Sequence, residues 1–86
     1  MAKRLVGEVL HFFDKIGVAA LKVSGEFKIG DKISVESKDG TIVCKQTVMS
    51  MQVNHNPVNV ANPGDDVAIK LEKKVHQGDK VYKITE

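Results

Sequence analysis

The stretch VNHNPVNVANPGDDVAIKL, residues 53–71, decides how this chain folds. It opens as an extended apolar segment and then carries the two prolines of the chain, which fix φ and stiffen a loop. The Gly64-Asp65 pair favours a turn, after which DVAIKL at 66–71 alternates apolar with other residues. Alternation with a period of two is typical of a strand with one buried face. The stretch is therefore predicted to be a rigid crossing between two strands.

Extended segments joined by turns occupy most of the remaining chain. The first segment, at 3–13, fits both the helical and the strand period, and its glycine with its aromatic and β-branched residues favours a strand. Along 41–53 the apolar residues change phase near Val48-Met49, which indicates a bulge or a bend. Asp39-Gly40 predicts a tight turn between strands. The predicted strands lie within residues 3–13, 18–23, 32–37, 41–53, 66–71 and 80–84.

Short strands without a convincing helix predict an all-β fold, specifically a small closed six-stranded β-barrel. Closure of a barrel removes the unpaired strand edges that a small isolated sheet would present. A chain of 86 residues is expected to form one domain, residues 1–86. Such a domain buries roughly 60% of the surface that its unfolded chain exposes, which is enough for a thin core.

A Gly-Asp pair precedes a predicted strand three times, at Gly30-Asp31, Gly64-Asp65 and Gly78-Asp79. Glycine accepts a positive φ, and the aspartate carboxylate can accept hydrogen bonds from nearby backbone N–H groups. The spacings of 34 and 14 residues are too unequal for a sequence repeat. These pairs are interpreted as structural turns without a ligand.

The composition narrows the class of protein. A net charge of +2, with Arg4 as the only arginine, does not by itself indicate a nucleic-acid binder. Cys44 is the single cysteine, so no intrachain disulfide can form, and a cytoplasmic location is expected. No signal-like or membrane-spanning apolar run is present, and no membrane association is expected.

The motifs of catalysis and metal binding are missing from the sequence. Gly25 and Gly30 have phosphate-loop spacing, but Asp31 stands where the lysine of that motif would follow. The histidines are scattered, no paired-cysteine motif exists, and Cys44 shares a strand face with apolar residues. The chain is therefore expected to be no enzyme and to hold no metal and no cofactor.

Residues 46–84 resemble the second domain of translation GTPases of the elongation factor Tu type, as do VGEV at 6–9 and GEFKIGDKISV at 25–35. The similarity spans roughly residues 5–84, and both SMQVNHNPV and PGDDVAIK also resemble the C-terminal domain of collagenase-like peptidases. Both resemblances imply a six-stranded β-barrel. The positions that match the translation-factor pattern are Val48, Ser50, His55, Val58, Ala61, Pro63, Gly64, Asp65, Val67, Gly78 and Asp79.

The first resemblance implies a non-catalytic, stand-alone translation-factor-like barrel that binds RNA or a ribosomal component, with tRNA or the ribosome as partner. Basic residues near both ends of the chain could track a phosphate backbone if the termini are adjacent. The candidate RNA-binding residues are Lys3, Arg4, Lys70, Lys73, Lys74, His76, Lys80 and Lys83.

The second resemblance implies an alternative, a protein-interaction or substrate-presenting accessory module for a collagenase-like peptidase chain. The modest net charge and the scarcity of arginine favour this alternative. Under either resemblance, Phe12 and Phe13 are neighbours on a predicted strand, so one of them is expected to face outward and to contact a partner protein or an unpaired nucleotide.

Overall fold

The computed structural model describes residues 2–85, and within that range the fold is all-β. Each predicted strand is present, and the run 41–53 is divided into two strands at the predicted change of phase. No helix long and apolar enough to cross a membrane occurs in the described range. The strands are β1 (Ala2–Phe13), β2 (Val18–Val23), β3 (Phe27–Lys28), β4 (Lys32–Glu36), β5 (Ile42–Thr47), β6 (Met51–Val53), β7 (Asn56–Pro57), β8 (Val60–Ala61), β9 (Asp66–Lys70) and β10 (Lys80–Thr85).

Strand β1 organises the main sheet, whose order is β5-β4-β10-β1-β2-β9-β6-β7, while β3 and β8 form a separate pair. Its first half pairs with β10, where Ala2 lies opposite Thr85, and its second half pairs with β2. The two ends of the described chain are therefore adjacent, which is the condition under which basic residues near both ends could share one surface. The register of β1 shifts once against each neighbour, and such bulges bend a strand so that it can wrap a core.

One hydrophobic core lies inside the curved sheet and the β3–β8 pair. Val6 and Val9 point into it from β1 and are fully buried, as are apolar residues of most other strands. Cys44 belongs to this core, as predicted from its strand face. The largest buried side chains are Phe27, Leu21, Ile33, Met51 and Ile69.

The main sheet is not closed into a barrel, so the prediction of a closed six-stranded barrel is wrong on this point. Its edge strands are β5 and β7, and β5 approaches the end of β9 without a backbone ladder among the described residues. The side chain of Gln46 spans this approach: Nε2 donates to the Lys70 carbonyl (3.0 Å) and Oε1 accepts from the Glu72 N–H (2.8 Å). A side-chain amide carries both a donor and an acceptor, as a peptide group does. Gln46 thus takes the place of the missing ladder.

The stretch 53–71 is more structured than a simple crossing. Asn54 and His55 connect β6 to β7 with φ values of 52° and 66°, as a two-residue hairpin turn of the primed type requires. Pro57 ends the edge strand β7, where a missing N–H is tolerated. The chain then adds β8 to β3 before it turns into β9, so this loop covers one end of the core.

The Gly-Asp pairs form turns with the same geometry. In each turn the glycine has a positive φ, and Oδ2 of the aspartate accepts from the backbone N–H three residues earlier. Each turn also exchanges two backbone hydrogen bonds with a buried valine: the glycine N–H donates to the valine carbonyl, and the valine N–H donates to the aspartate carbonyl. The sets are Gly30, Asp31 and Val48; Gly64, Asp65 and Val23; and Gly78, Asp79 and Val9.

Replacing Gln46 tests the side-chain bridge. Gln46→Leu is expected to lower the free energy of unfolding by about 1–2 kcal/mol, since two hydrogen bonds to the backbone are lost. Urea denaturation measures the change, with Gln52→Leu on the exposed face of β6 as the matched control. Equal effects of the two substitutions would contradict the bridging role.

Replacing Asp79 tests the Gly-Asp turns. Asp79 is 4% exposed, and Asp79→Ala is expected to cost about 1–3 kcal/mol of unfolding free energy because the His76 N–H loses its acceptor. The exposed Asp66 is a suitable control, and Asp66→Ala is expected to change stability by less than about 0.5 kcal/mol. Thermal or urea unfolding measures the change in both variants. An unchanged unfolding free energy in Asp79→Ala would show that the Asp79 carboxylate does not stabilise the turn.

Candidate functional site

The candidate RNA-binding residues fall into two groups. The first group lies on the paired strands β1 and β10 and consists of Lys3, Arg4, Lys80 and Lys83. The second group lies at the end of β9 and in the segment that follows it, and its four exposed residues are Lys70, Lys73, Lys74 and His76.

Arg4 and Lys70 lie toward different ends of β1, whereas His76 lies in the turn that leads into Lys80 at the start of β10. Lys70 is opposite Val18, and Val18 is opposite Phe13, at the far end of β1 from Arg4. At about 3.3 Å per residue, the path along β1 from Arg4 to Phe13 is about 30 Å. The structure therefore does not bring Arg4 and Lys70 together.

Several of these cations are paired with carboxylates. Lys80 donates to Glu8 across the β1–β10 ladder. This contact lowers the pKa of Glu8, first through the hydrogen bond and then through the lysine charge, and it raises the pKa of Lys80. The other pairs are Lys3 with Glu36 (2.7 Å), Lys83 with Asp31 (3.3 Å) and Lys74 with Asp14 (3.7 Å). Much of the positive charge is thus balanced at the surface.

The β1–β2 hairpin end presents exposed apolar side chains instead. Phe13 is 46% exposed and Ile16 is 61% exposed, while Phe12 packs against the core. The expectation that one of the adjacent phenylalanines faces outward is confirmed, and the outward one is Phe13. The ring of His11 contacts that of Phe13 edge to face, with centroids 4.5 Å apart. We call Leu10, His11, Phe13 and Ile16 the hairpin-end surface.

The hairpin end is held in place by backbone hydrogen bonds. The Phe13 carbonyl accepts from the N–H groups of Ile16 (3.2 Å) and Gly17 (2.9 Å), and Gly17 has a φ of 66°. The Gly17 carbonyl in turn accepts from the Leu71 N–H (2.9 Å). The apolar side chains therefore project from an anchored turn. Sequence reasoning predicted that one of the two phenylalanines faces outward without saying which one, and it did not single out Ile16.

The side chains considered for catalysis or metal binding are not arranged for either. Cys44 is 3% exposed, its Sγ donates to Gln46 Oε1 (3.3 Å), and burial raises the pKa of its thiol. His55, the histidine that sequence reasoning favours as a base for this thiol, is exposed in the β6–β7 turn. Within residues 2–85, no three His, Cys, Asp or Glu side chains are grouped as metal ligands would be.

Comparison with known proteins relates the chain to proteases. No family model matches it. It is 38% identical over 81 residues, 94% of its length, to an uncharacterized protease of Methanocaldococcus jannaschii, of which the match covers 20%. It is 30% identical over 82 residues to a collagenase of Porphyromonas gingivalis, of which the match covers 22%. The chain thus spans about a fifth of the length of these curated relatives.

Solved structures share the fold. The C-terminal domain of a putative U32 peptidase from Geobacillus thermoleovorans matches with a TM-score of 0.86 and 18% identity, covering 94% of this chain and 92% of that domain. GDP-bound aIF5B from Aeropyrum pernix matches with a TM-score of 0.63 and 14% identity, covering 98% of this chain and 14% of that protein. At these identities the likeness concerns the fold alone.

These comparisons support the collagenase-like half of the resemblance, and they support the translation-factor half only weakly, at the level of the fold. The interpretation as a translation elongation factor-like, ribosome-associated or RNA-binding protein of protein biosynthesis is wrong, because the relatives are a protease and collagenases. The motifs shared with translation factors are glycine turns and strand patterns. Those features specify a fold, and the fold is what aIF5B has in common with this chain.

The Glu8–Lys80 pair predicts a measurable pH dependence. Lys80→Met is expected to raise the pKa of Glu8 toward its ordinary value of 4.5, because the hydrogen bond and the positive charge are both removed. Folding depresses this pKa, so the pair stabilises the fold above about pH 4.5, and the contribution is lost as pH falls through the depressed value.

A ¹³C NMR titration that follows the Glu8 carboxyl carbon measures this pKa directly. Lys22 lies opposite Glu8 on β2 and is exposed, so Lys22→Met is the matched control and should move the Glu8 pKa far less. A Glu8 pKa that is the same in wild type and Lys80→Met would show that the pair does not form in solution.

Proposed function

We propose that the chain is a non-catalytic accessory module that docks onto the catalytic chain or domain of a collagenase-like peptidase. The observation that carries the proposal is the match of 94% of the chain to one segment of a protease and of a collagenase. In those relatives the matched segment is about a fifth of the protein, which leaves most of it for a catalytic part. A role in presenting substrate to that catalytic part is the finer form of the same proposal.

The hairpin-end surface is the proposed contact with the peptidase. The centre of a protein interface is more apolar than the remaining surface and is enriched in aromatic side chains, and Phe13 and Ile16 are exposed apolar side chains on an anchored turn. A preordered surface loses little conformational freedom on binding. Burial raises the pKa of the Cys44 thiol, which disfavours the thiolate that a nucleophilic cysteine needs.

The proposal places the module in the cytoplasm. Its single cysteine is a buried free thiol, which suits a reducing compartment.

Substitution in the hairpin end tests the docking. The purified chain is titrated calorimetrically with the catalytic portion of a collagenase-like peptidase from the same organism, and a one-to-one complex is expected. Phe13→Ser and Ile16→Ser are each expected to weaken binding by about tenfold or more, as is usual for central interface side chains. The far-UV circular dichroism spectrum and the unfolding midpoint report whether each variant keeps its fold.

Val60→Ser is the matched control for the docking experiment. Val60 is 40% exposed, close to the exposure of Phe13, but it lies on β8 in the separate β3–β8 pair. Its substitution should leave peptidase binding unchanged. The docking proposal fails if no complex forms at protein concentrations of about 100 μM, or if Val60→Ser weakens the complex as much as Phe13→Ser does.

A further inference from the structure

A cleft of about 270 Å³ opens on the outer face of the sheet, where β4 and β5 meet β10 and the beginning of β1. Its apolar walls are Ile42 and Ile84, and its polar groups come from Ser34, Glu36, Lys3 and Lys45. None of these residues belongs to the hairpin-end surface. The cleft is therefore a separate site, and the inference drawn from it does not rest on the proposed docking.

The floor of the cleft is unusual because β4 is buried on both faces. Ile33 and Val35 point into the core, so Ser34 and Glu36 project to the outer face, yet they are only 2% and 6% exposed. Lys3 covers them: its Nζ lies 4.6 Å from the centroid of the Tyr82 ring and 2.7 Å from Glu36 Oε2. Ser34 and Glu36 are therefore polar residues on the outer face of the sheet that are nevertheless shielded from solvent.

The hydroxyl of Ser34 lacks a partner in this floor. Among the described residues, Ser34 Oγ is the one buried side-chain nitrogen or oxygen atom without a hydrogen bond. Buried polar groups normally have a partner, because an unpaired group loses its contacts with water and gains nothing in return. The Ser34 hydroxyl can both donate and accept, so it is equipped to bind a polar group that enters the cleft.

The charges beside this hydroxyl favour an anion. Glu36 is already matched by Lys3. Lys45 lies directly opposite Ser34 on β5, is exposed, and has no carboxylate of residues 2–85 within ion-pair distance. Cross-strand partners of this kind have neighbouring side chains on one face of a sheet. A carboxylate in the cleft could therefore accept hydrogen bonds from the Lys45 ammonium and the Ser34 hydroxyl together.

We propose that the cleft binds the carboxylate of an aliphatic ligand, of the chemical class of a peptide C-terminal residue. The carboxylate lies between Lys45 and Ser34, and the aliphatic group lies on Ile42 and Ile84. The volume is slightly below the range of about 300–1,000 Å³ typical of sites for drug-sized ligands, which suits one terminal residue better than a long segment.

A titration followed by ¹H–¹⁵N NMR spectra tests the proposal on the intact chain. The probe is the peptide acetyl-Gly-Val-Leu with a free carboxylate, added to about 10 mM, which exceeds the dissociation constant expected of a weak single-residue site. Saturable shifts are expected at the amides of Ser34, Glu36, Ile42 and Lys45. The same peptide with a C-terminal amide should bind at least about tenfold more weakly, since it carries no negative charge.

Two variants and one control assign the contacts. Lys45→Gln should weaken binding of the free-carboxylate peptide by about tenfold or more, whereas Lys70→Gln removes an exposed cation outside the cleft and should have no effect. Ser34→Ala should weaken binding by about fivefold and leave the unfolding midpoint of the unliganded chain unchanged or higher, since the hydroxyl has no partner to lose. A lowered midpoint would instead indicate a structural role for Ser34.

The outcomes separate the alternatives. Absence of shifts at about 10 mM peptide, equal binding of the amide, or equal effects of Lys45→Gln and Lys70→Gln would each overturn the carboxylate site. Equal affinity for 4-methylpentanoate would support the carboxylate site and identify a free acid, rather than a peptide end, as its ligand. Phe13→Ser should bind the probe peptide normally, so failure of the docking proposal and failure of this one are distinguishable.

Discussion

The structure depends on the backbone hydrogen bonds that tie each Gly-Asp turn to a buried valine. In every case the exchanged pair of bonds is the first rung of a strand ladder: Val48 with Asp31 precedes the β4–β5 pairing, Val23 with Asp65 precedes β2–β9, and Val9 with Asp79 precedes β1–β10. A slip of one residue would move every side chain of the strand to the other face. Because the valines are in the core, the turns set the register of these ladders.

This anchoring explains how a small sheet remains ordered without closing into a barrel. Each Gly-Asp turn joins the beginning of one strand to the neighbouring strand. The registers of β4, β9 and β10 against these neighbours therefore do not require a ladder between the two edges of the sheet. The gap between β5 and the end of β9 is then narrow enough for one side-chain amide, that of Gln46, to satisfy backbone groups on the far side. A full ladder between β5 and β9 would add hydrogen bonds, but the Gly-Asp turns already determine the register of the ladders that are present.

The sequence predicted what depends on local pattern and missed what depends on distant partners. The Gly-Asp turns and the period-two strands are local, and they were found where expected. In contrast, Gln46 shares the strand phase of Cys44 and Val48, and no local pattern indicates its backbone partners, because these lie at the end of β9 and just after it, more than twenty residues away. The same holds for the charges: Lys80 looked free in the sequence, since its partner Glu8 is 72 residues away. Local sequence therefore could not show that four of the candidate lysines are paired with carboxylates; these are Lys3, Lys74, Lys80 and Lys83.

The bend of β1 separates the two proposed binding sites of this small domain. Fully extended, its 12 residues would span about 40 Å, which exceeds the largest dimension of the molecule, 31 Å, so the strand has to bend. The two register shifts supply the bend and leave its two ends on different parts of the surface. Lys3 at one end lines the cleft, and Phe13 at the other belongs to the hairpin-end surface. The accessory role proposed above, in which a ligand is presented to a peptidase, would need two contacts that do not overlap, and a single bent strand is sufficient to separate them.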